Sequence, residues 1–496
     1  MVAVVWAAAG CTKTNPNYCA DAGLENGYAC SKLDAGHDAP TVVDATDAKD
    51  ATDVSEGGDV RSDAAHDATE APAERPTCSN LSCTTAEDPI CDVDAGTCGP
   101  CTTNDECTKK NPQLPACEQG ECYACTMDAQ CTKATMPICD AHACRSCDTN
   151  ADCASKTATP ACASSGACVQ CVGNSDCTGT KPICNTTANT CRSCQTDAEC
   201  PANPGVCMTD GHCAGTGEVI FIEFNAGGCA GADGSSAKPY CAPNDGVAQL
   251  TAGRRVIVVR GAAGDRMSLS TAGILPIVIG RKSASNVDGS IPATASTSLT
   301  ISSDTVLVRD LVVNLGSMST SKGIAIAGAS TKVSLIRVTA SLGTGLGIDA
   351  ESGSSLTMDE SYVLNNSSGG ILISGASYSI QNSVIAGNGY GIQFSSAIAT
   401  NAQLRFNTIA SNTIAASCDL TNSETFTDSI FVGPMVNCNI TNSVTAMLPT
   451  FSTTRPYHLT AHIGCPTAPA AGTFPDHDVD GDARTGTIDC GADQFQ

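Results

Sequence analysis

The stretch VLVRDLVVNLGSMSTSKGIAIAGASTKVSLIRVTASLGTGLGIDAESGSSLTMDESYVLNNSSGGILISGASYSIQNSVIAGNGYGIQF, residues 306–394, decides the fold. Within it Gly323-Ile324, Gly347-Ile348, Gly370-Ile371 and Gly391-Ile392 recur at steps of 24, 23 and 21 residues. Between them lies a second set of strand-like runs, VLVRDLVV, VSLIRVT, LTMDESYV and YSIQNSVI, followed less regularly by QLRFNTI. A repeat of about 22 residues holding two or three short β runs is the signature of a parallel β-helix. One such coil cannot bury its inner face alone. Coils stacked about 4.8 Å apart turn those faces into a continuous aliphatic ladder. The earlier runs VIVVRGA and ILPIVIG add coils, for about eight in all. An antiparallel sandwich is the alternative, and the regular Gly-Ile period with few hairpin turns disfavours it.

Upstream of residue 217 the chain is of another kind. From Cys78 to Cys213 the cysteines fall into units of four. The first, variant unit is Cys78, Cys83, Cys91 and Cys98, and five regular units follow, opening at Cys101, Cys125, Cys147, Cys171 and Cys194. Each regular unit opens with C-x5-C around a polar turn: TTNDE, TMDAQ, DTNAD, VGNSD or QTDAE. Asp and Asn in such turns bond their own backbone and fix the bend. Paired C-x2-C motifs also suit zinc ribbons, but here the C-x5-C cysteines would be surplus ligands, and only His142 and His212 lie in the array. Two disulfides inside each unit are therefore expected, with the connectivity left open by the spacing. Such beads are too small to fold without staples.

Residues 34–77 carry twelve acids against three basic residues and almost no large apolar side chains. That composition cannot offset chain entropy, so a disordered acidic stalk is expected. Before it, Cys19 and Cys30 are expected to pair. Val2–Ala9 is a short apolar run, and Ala8-Ala9-Gly10-Cys11 resembles the lipobox of bacterial lipoproteins. The resemblance implies a signal peptide over residues 1–10, its true start upstream of Met1, and a diacylglycerol on the sulfur of Cys11. Residues 11–33 then form the lipidated N-terminus. Removing Cys11 from the 33 cysteines leaves an even 32, and so many thiols suit an oxidising space. Acyl chains would hold the chain on a membrane without a spanning helix. Thr12, in place of a retention Asp, points to the outer membrane and the cell surface. The net charge of −25 argues against nucleic acid as a partner.

At both ends of the C-terminal part, residues 217–496, the sequence resembles right-handed β-helix proteins of the pectate-lyase-like class. DGSSAKPYCAPNDGVAQLTAGRRVIVVRGA (233–262) looks like the segment that leads into the first coil. PDHDVDGDARTGTIDCGADQF looks like a closing segment, D-x-D-G-x-x-R then D-x-G-A, with Cys490 where an aliphatic is usual. Cys490 is expected to pair with Cys465, and by proximity Cys229 with Cys241 and Cys418 with Cys438. The expected fold class is thus all-β: a right-handed parallel β-helix preceded by small disulfide-rich repeats (78–214) and a disordered linker.

That resemblance brings polysaccharide lyases and hydrolases into question. Lyases need an Arg or Lys base beside carboxylates, hydrolases two spaced carboxylates. No histidine lies between residues 217 and 457. The best constellation is a column, Asp310, Arg337, Glu360 and Asn382, at steps of 27, 23 and 22, with Asp349, Glu351 and Asp359 nearby in sequence. As a groove it would bind sugar, or act with Arg337 as base and Asp310 and Glu360 as its carboxylates. As an acid–Arg–acid ladder it merely compensates stacked charge. Asp476, Asp478, Asp480 and Asp482 with Gly481 match the first half of an EF-hand-type Ca²⁺ loop, but its twelfth position is Thr487. The leading expectation is a non-catalytic cell-surface lipoprotein whose β-helix binds a polysaccharide or a surface protein. It needs no cofactor, with Ca²⁺ as an option. The alternatives are a polysaccharide lyase or hydrolase acting on an acidic glycan, and a structural spacer without ligand.

Overall fold

The computed structural model describes residues 78, 82–224, 229–263, 265–282, 288–291, 297–314, 321–396, 403–419, 424–445, 451–452, 457–470 and 472–495. Cys11, Cys19, Cys30 and the stalk lie outside them. The described residues form two compact units. One runs to Thr132 and includes Ile138–Arg145; the other comprises Lys133–Pro137 and the chain from Ser146 onward.

From Val219 the chain winds as a right-handed parallel β-helix with three sheets. Sheet A has ten strands, beginning Val219–Ile222, Val256–Arg260, Ile277–Arg281 and Thr305–Arg309. Sheet B has eight, beginning at Met267–Leu269, and sheet C eight, beginning at Ser290–Ile291. A representative coil passes through Lys322–Ile326 in sheet B, Lys332–Ile336 in sheet A and Thr339–Ser341 in sheet C. Every strand pairs in parallel with its equivalent one coil on. The Gly-Ile pairs line up: Ile324, Ile348, Ile371 and Ile392 are direct register partners.

The core is a set of vertical stacks. Sheet A contributes Ile257, Val278, Val308, Leu335, Met358, Ile380, Leu404 and Phe426, each the register partner of the next and all fully buried. Burial of each aliphatic contributes about 1.5–3 kcal/mol. Toward the C-terminal end the aliphatics give way to edge-packed rings, Phe394 on Phe426 and Phe426 on Phe431.

Glycine stands before Ile348, Ile371 and Ile392 because of a polar ladder inside the turn. Asn366, Asn388 and Asn412 occupy successive coils. The backbone N–H and side-chain amide of Asn366 donate to Asn388 Oδ1, and those of Asn388 donate to Asn412 Oδ1. Each amide also donates across the coil, to the carbonyls of Ala340, Val363 and Ile385. A Cβ on Gly347, Gly370 or Gly391 would come within 2.8, 3.0 and 2.9 Å of the three amide nitrogens in turn. The glycine makes room for the asparagine, and the asparagine satisfies backbone that the turn leaves unpaired.

The corner from sheet A to sheet C is set by a left-handed residue: Asp310, Arg337, Glu360, Asn382, Phe406, Asp428 and Asn442 all have φ between 46° and 58°. That φ turns the N–H toward the next coil, so Asp310 donates to Ile336 O, Arg337 to Asp359 O and Asn382 to Arg405 O. A second polar ladder follows it, with Ser383 N donating to Asn407 Oδ1 and Asn407 N to Ser429 Oγ.

In the cysteine units the bonds run first to third and second to fourth, as in Cys101–Cys117 with Cys107–Cys122 and Cys194–Cys207 with Cys200–Cys213. Every described cysteine is disulfide-bonded, so the zinc-ribbon alternative is answered, and Cys229–Cys241, Cys418–Cys438 and Cys465–Cys490 pair as expected. The recurring polar turn has a defined task. Asn104, Asp128, Asn150, Asn174 and Asp197 each accept the N–H of their unit's third cysteine.

The last unit also packs on the β-helix. Val206, Met208 and Ala214 cover the outer face of sheet A at Val219, Phe221, Val256, Val258, Ile277 and Ile279. Asp197 is pinned there by Arg281 and Arg309. Beyond this cover the same outward column turns polar, through Ser334, Thr357, Ser379 and Gln403. At the other end Val479 and Ala492 of the closing segment pack on Val384 and Ala386 of sheet C.

Candidate functional site

The candidate residues do not form one groove. Asp310, Arg337 and Glu360 meet at the corner between sheets A and C. Arg337 Nε donates to Asp310 Oδ1 at 2.6 Å and Nη2 to Oδ2 at 3.2 Å, while Nη1 reaches Glu360 Oε2 at 3.2 Å. Burial alone would lower the Arg337 pKa, but Asp310 and Glu360 outweigh it and push it up. Burial raises the Glu360 carboxyl despite Arg337. Arg309 contacts both Asp310 and Asp197. The column is thus the outer end of a chain of alternating charges, Arg281–Asp197–Arg309–Asp310–Arg337–Glu360, that fastens the last cysteine unit.

Asp359 lies beside this corner, where burial raises its carboxyl and Gln381 Nε2 donates to it at 3.1 Å. Asn382 occupies the expected next place in the column but is sealed under the closing segment, donating to His477 O and accepting from Arg484. It offers nothing to a ligand.

Asp349 and Glu351 stand on sheet B, away from the column: proximity in sequence to Asp359 does not carry around the coil. Both face Lys322, whose Nζ is 2.5 Å from Asp349 Oδ2 and 3.3 Å from Glu351 Oε1. Burial would lower the Lys322 pKa, but Asp349 and Glu351 outweigh it and raise it. Asp349 is 5% exposed, and its Oδ1 is buried with no hydrogen-bond partner. Thr344 Oγ1, five residues earlier on the same coil, is likewise buried without a partner. Two coils on, the Tyr390 ring lies against Gly369, where any Cβ would collide with it. Burial, and then the charge of Asp349, raise the Tyr390 pKa. Leu342, which opens the turn into this coil, has φ 66° and is 66% exposed, an unusual state for leucine.

Lys322, Gly369 and Tyr390 were not anticipated as a group. A signal existed: with Leu346 they are the residues immediately before the four Gly-Ile pairs, and Lys322, Leu346 and Gly369 are register partners. The chemistry there varies while the frame repeats.

The stretch expected as a Ca²⁺ loop forms a turn held by hydrogen bonds to Asp478. Asp478 Oδ1 accepts the N–H groups of Asp480 and Asp482, and its Oδ2 that of Gln494. Burial pushes the Asp478 carboxyl up to about 6. Asp480 accepts from Tyr362 at 2.9 Å and faces His458 at 3.0 Å. Asp476 is exposed and Asp482 partly so. Arg484, 5% exposed, gathers the carbonyls of His477, Asp489, Gly491 and Ala492, so D-x-D-G-x-x-R is a device for closing the helix.

Ladders, stapled ends and a closing turn together define a protein of the right-handed parallel β-helix class. Residues 256–463, less than half of the chain, match the family model described as NosD, periplasmic copper-binding protein. Among solved structures, the pectate lyase Pel9A is similar with 12% identity and a TM-score of 0.26, covering 55% of this chain and 89% of that one. No curated protein sequence matches the chain.

The copper of that family description can be set against the residues here. Cu(I) selects thiolate and thioether ligands. In the matched stretch Cys418 and Cys438 are bonded to each other, and Met267 and Met358 are buried in the core stack. His458 and His462 face carboxylates. Among the described residues, the matched stretch holds no free thiolate for Cu(I).

Proposed function

We propose that this chain is a lipid-anchored display protein of the cell surface, whose β-helix binds a polysaccharide without cleaving it. The observation that carries this reading is the state of its two candidate bases. Arg337 and Lys322 each sit between two carboxylates that raise their pKa and keep the proton on. A cation whose proton is held this way is disfavoured as the base of a β-elimination. The face around Lys322, Asp349, Glu351 and Tyr390 supplies acceptors, a donor and an aromatic ring suited to a sugar.

Location is supported by chemistry of other kinds. The disulfides in every cysteine unit suit an oxidising compartment outside the cytosol. No helix among the described residues is long and apolar enough to cross a membrane, and the anchor in this reading is the lipid on Cys11. The stalk would carry the repeats and β-helix away from the bilayer.

The lyase reading keeps one observation in its favour: Lys322 and two carboxylates share one sheet face, the residue types a β-elimination needs. The full chain incubated with polygalacturonate and with alginate, with and without calcium, separates the two readings. Retention on a glycan array with no rise in ultraviolet absorbance from unsaturated ends is expected. Product that disappears in Lys322→Ala or Arg337→Ala would overturn the display reading. Cys11→Ala should move the protein from the membrane fraction to the soluble one.

A further inference from the structure

The unpartnered carboxylate oxygen on sheet B bears on which sugar is bound. Asp349 is held on one side only: Lys322 takes Oδ2, while Oδ1 has no partner although the side chain is just 7% exposed. Leaving a buried acceptor unpaired is costly, and among the described residues none supplies a donor to Asp349 Oδ1. The local balance is two carboxylates, Asp349 and Glu351, to one ammonium, on a chain whose formal charge is −25. A uronate would add a third carboxylate to this pair, against Coulomb repulsion in a partly buried setting.

Beside the charges lies a ring. Tyr390 is seated on the backbone at Gly369 because that position has no Cβ. Such a seat holds an aromatic ring along the sheet face, where it can meet the C–H face of a sugar.

We infer that this face takes a glycan built from amino sugars with free amines, whose ammonium pairs with Asp349 and Glu351 while a sugar ring packs on Tyr390. The inference rests on the glycan-binding reading above and narrows its substrate class. Lys322 is then an internal stand-in for the ligand's ammonium, on a flexible four-carbon stem. Removing it should strengthen, not weaken, the binding of a cationic sugar.

The test is calorimetric titration of the full chain at low ionic strength with three hexamers: glucosamine, N-acetylglucosamine and galacturonate. The glucosamine oligomer should bind at least about tenfold tighter than the other two, since one desolvated charge pair is worth that factor or more. Asp349→Asn should lose about tenfold for that oligomer with little change for the N-acetylated one, and Lys322→Ala should gain affinity for it. Glu351→Gln, at a more exposed position, keeps the test intact if Asp349→Asn fails to fold. Equal or tighter binding of galacturonate, or indifference of glucosamine binding to both carboxylate variants, overturns the amino-sugar assignment and leaves glycan binding standing. If none of the three hexamers binds, and the glycan array is blank as well, the reading beneath it fails too.

Discussion

At the scale of single residues, one backbone angle explains most of the Arg337 column. A left-handed φ keeps the N–H of Asp310, Arg337 and Asn382 in the inter-coil ladder, while that of Glu360 turns to the Asp359 carboxylate, and the side chain at each corner is stacked on its equivalents one coil away. Stacking puts Asp310, Arg337 and Glu360 in contact whether or not a ligand exists. The Arg337 side chain is 44% exposed, so each of its pairs contributes under about 1 kcal/mol. Arg337→Ala is expected to lower stability to urea by about 1 kcal/mol and to leave glycan retention unchanged. The buried acids make a pH prediction with a definite sign. Asp478, pushed up to about 6 from 3.8, takes up a proton in the folded state before it does in the unfolded one, and Asp359 and Glu360 shift the same way. Stability from these groups therefore rises as pH falls through about 6 toward 4. Asp197 is the opposite case: Arg309 and Arg281 outweigh burial and hold it low, so its contribution is lost only below its unfolded value of 3.8. Thermal unfolding of the β-helix should peak between about pH 4 and 5; a melting temperature that declines steadily from pH 7 to 5 would contradict this.

The coil is the next scale up, and its unit of stability is a pair of columns, glycine and asparagine. Asn388 serves three coils at once through Asn366, Asn412 and the Val363 carbonyl. Asn388→Leu should cost about 3 kcal/mol, because it leaves the Asn366 N–H and the Val363 carbonyl buried without partners. Gly370→Ala should cost about 1–3 kcal/mol, since the new Cβ would stand 2.5 Å from the Gly391 carbonyl oxygen, which is backbone and cannot yield. Gly253, where an added methyl would meet nothing within 4 Å and φ is not positive, is the matched control and should accept alanine without loss. Urea titration of the three variants checks both statements. The cysteine units use the same economy of position: one Asp or Asn after the first cysteine fixes the turn by capping the third cysteine's N–H.

On the scale of the molecule, the last cysteine unit is the β-helix's own cover as well as a bead of the array. Its Asp197 performs the ordinary capping task of its class and also clamps two arginines of sheet A. Asp197→Asn preserves the cap to Cys207 and removes the charge that Arg281 and Arg309 share, leaving Arg309 with Asp310 and Arg281 with the Gly205 carbonyl. About 3 kcal/mol should be lost from this contact, and limited proteolysis near residues 213–219 should accelerate at least tenfold, with the disulfide pattern of the unit unchanged.

The period of the C-terminal part, the disulfide units and the three flanking cysteine pairs were legible in the chain itself. They are carried by spacing along one dimension: a β-helix and a string of stapled beads repeat in space as they repeat in sequence. The Arg337 column was legible for the same reason, because 22 or so residues make one turn. Which of those residues share a face around the turn was not. Asp349, ten residues from Asp359, lies on a different sheet, while Lys322, 27 residues before Asp349, touches it. Only the closed winding decides that, since a coil sends neighbours in sequence to different sides and brings together residues a full turn apart. The tertiary structure likewise gave Asp478 of the closing segment to the backbone N–H groups of Asp480, Asp482 and Gln494, and set Asp480 against Tyr362 and His458.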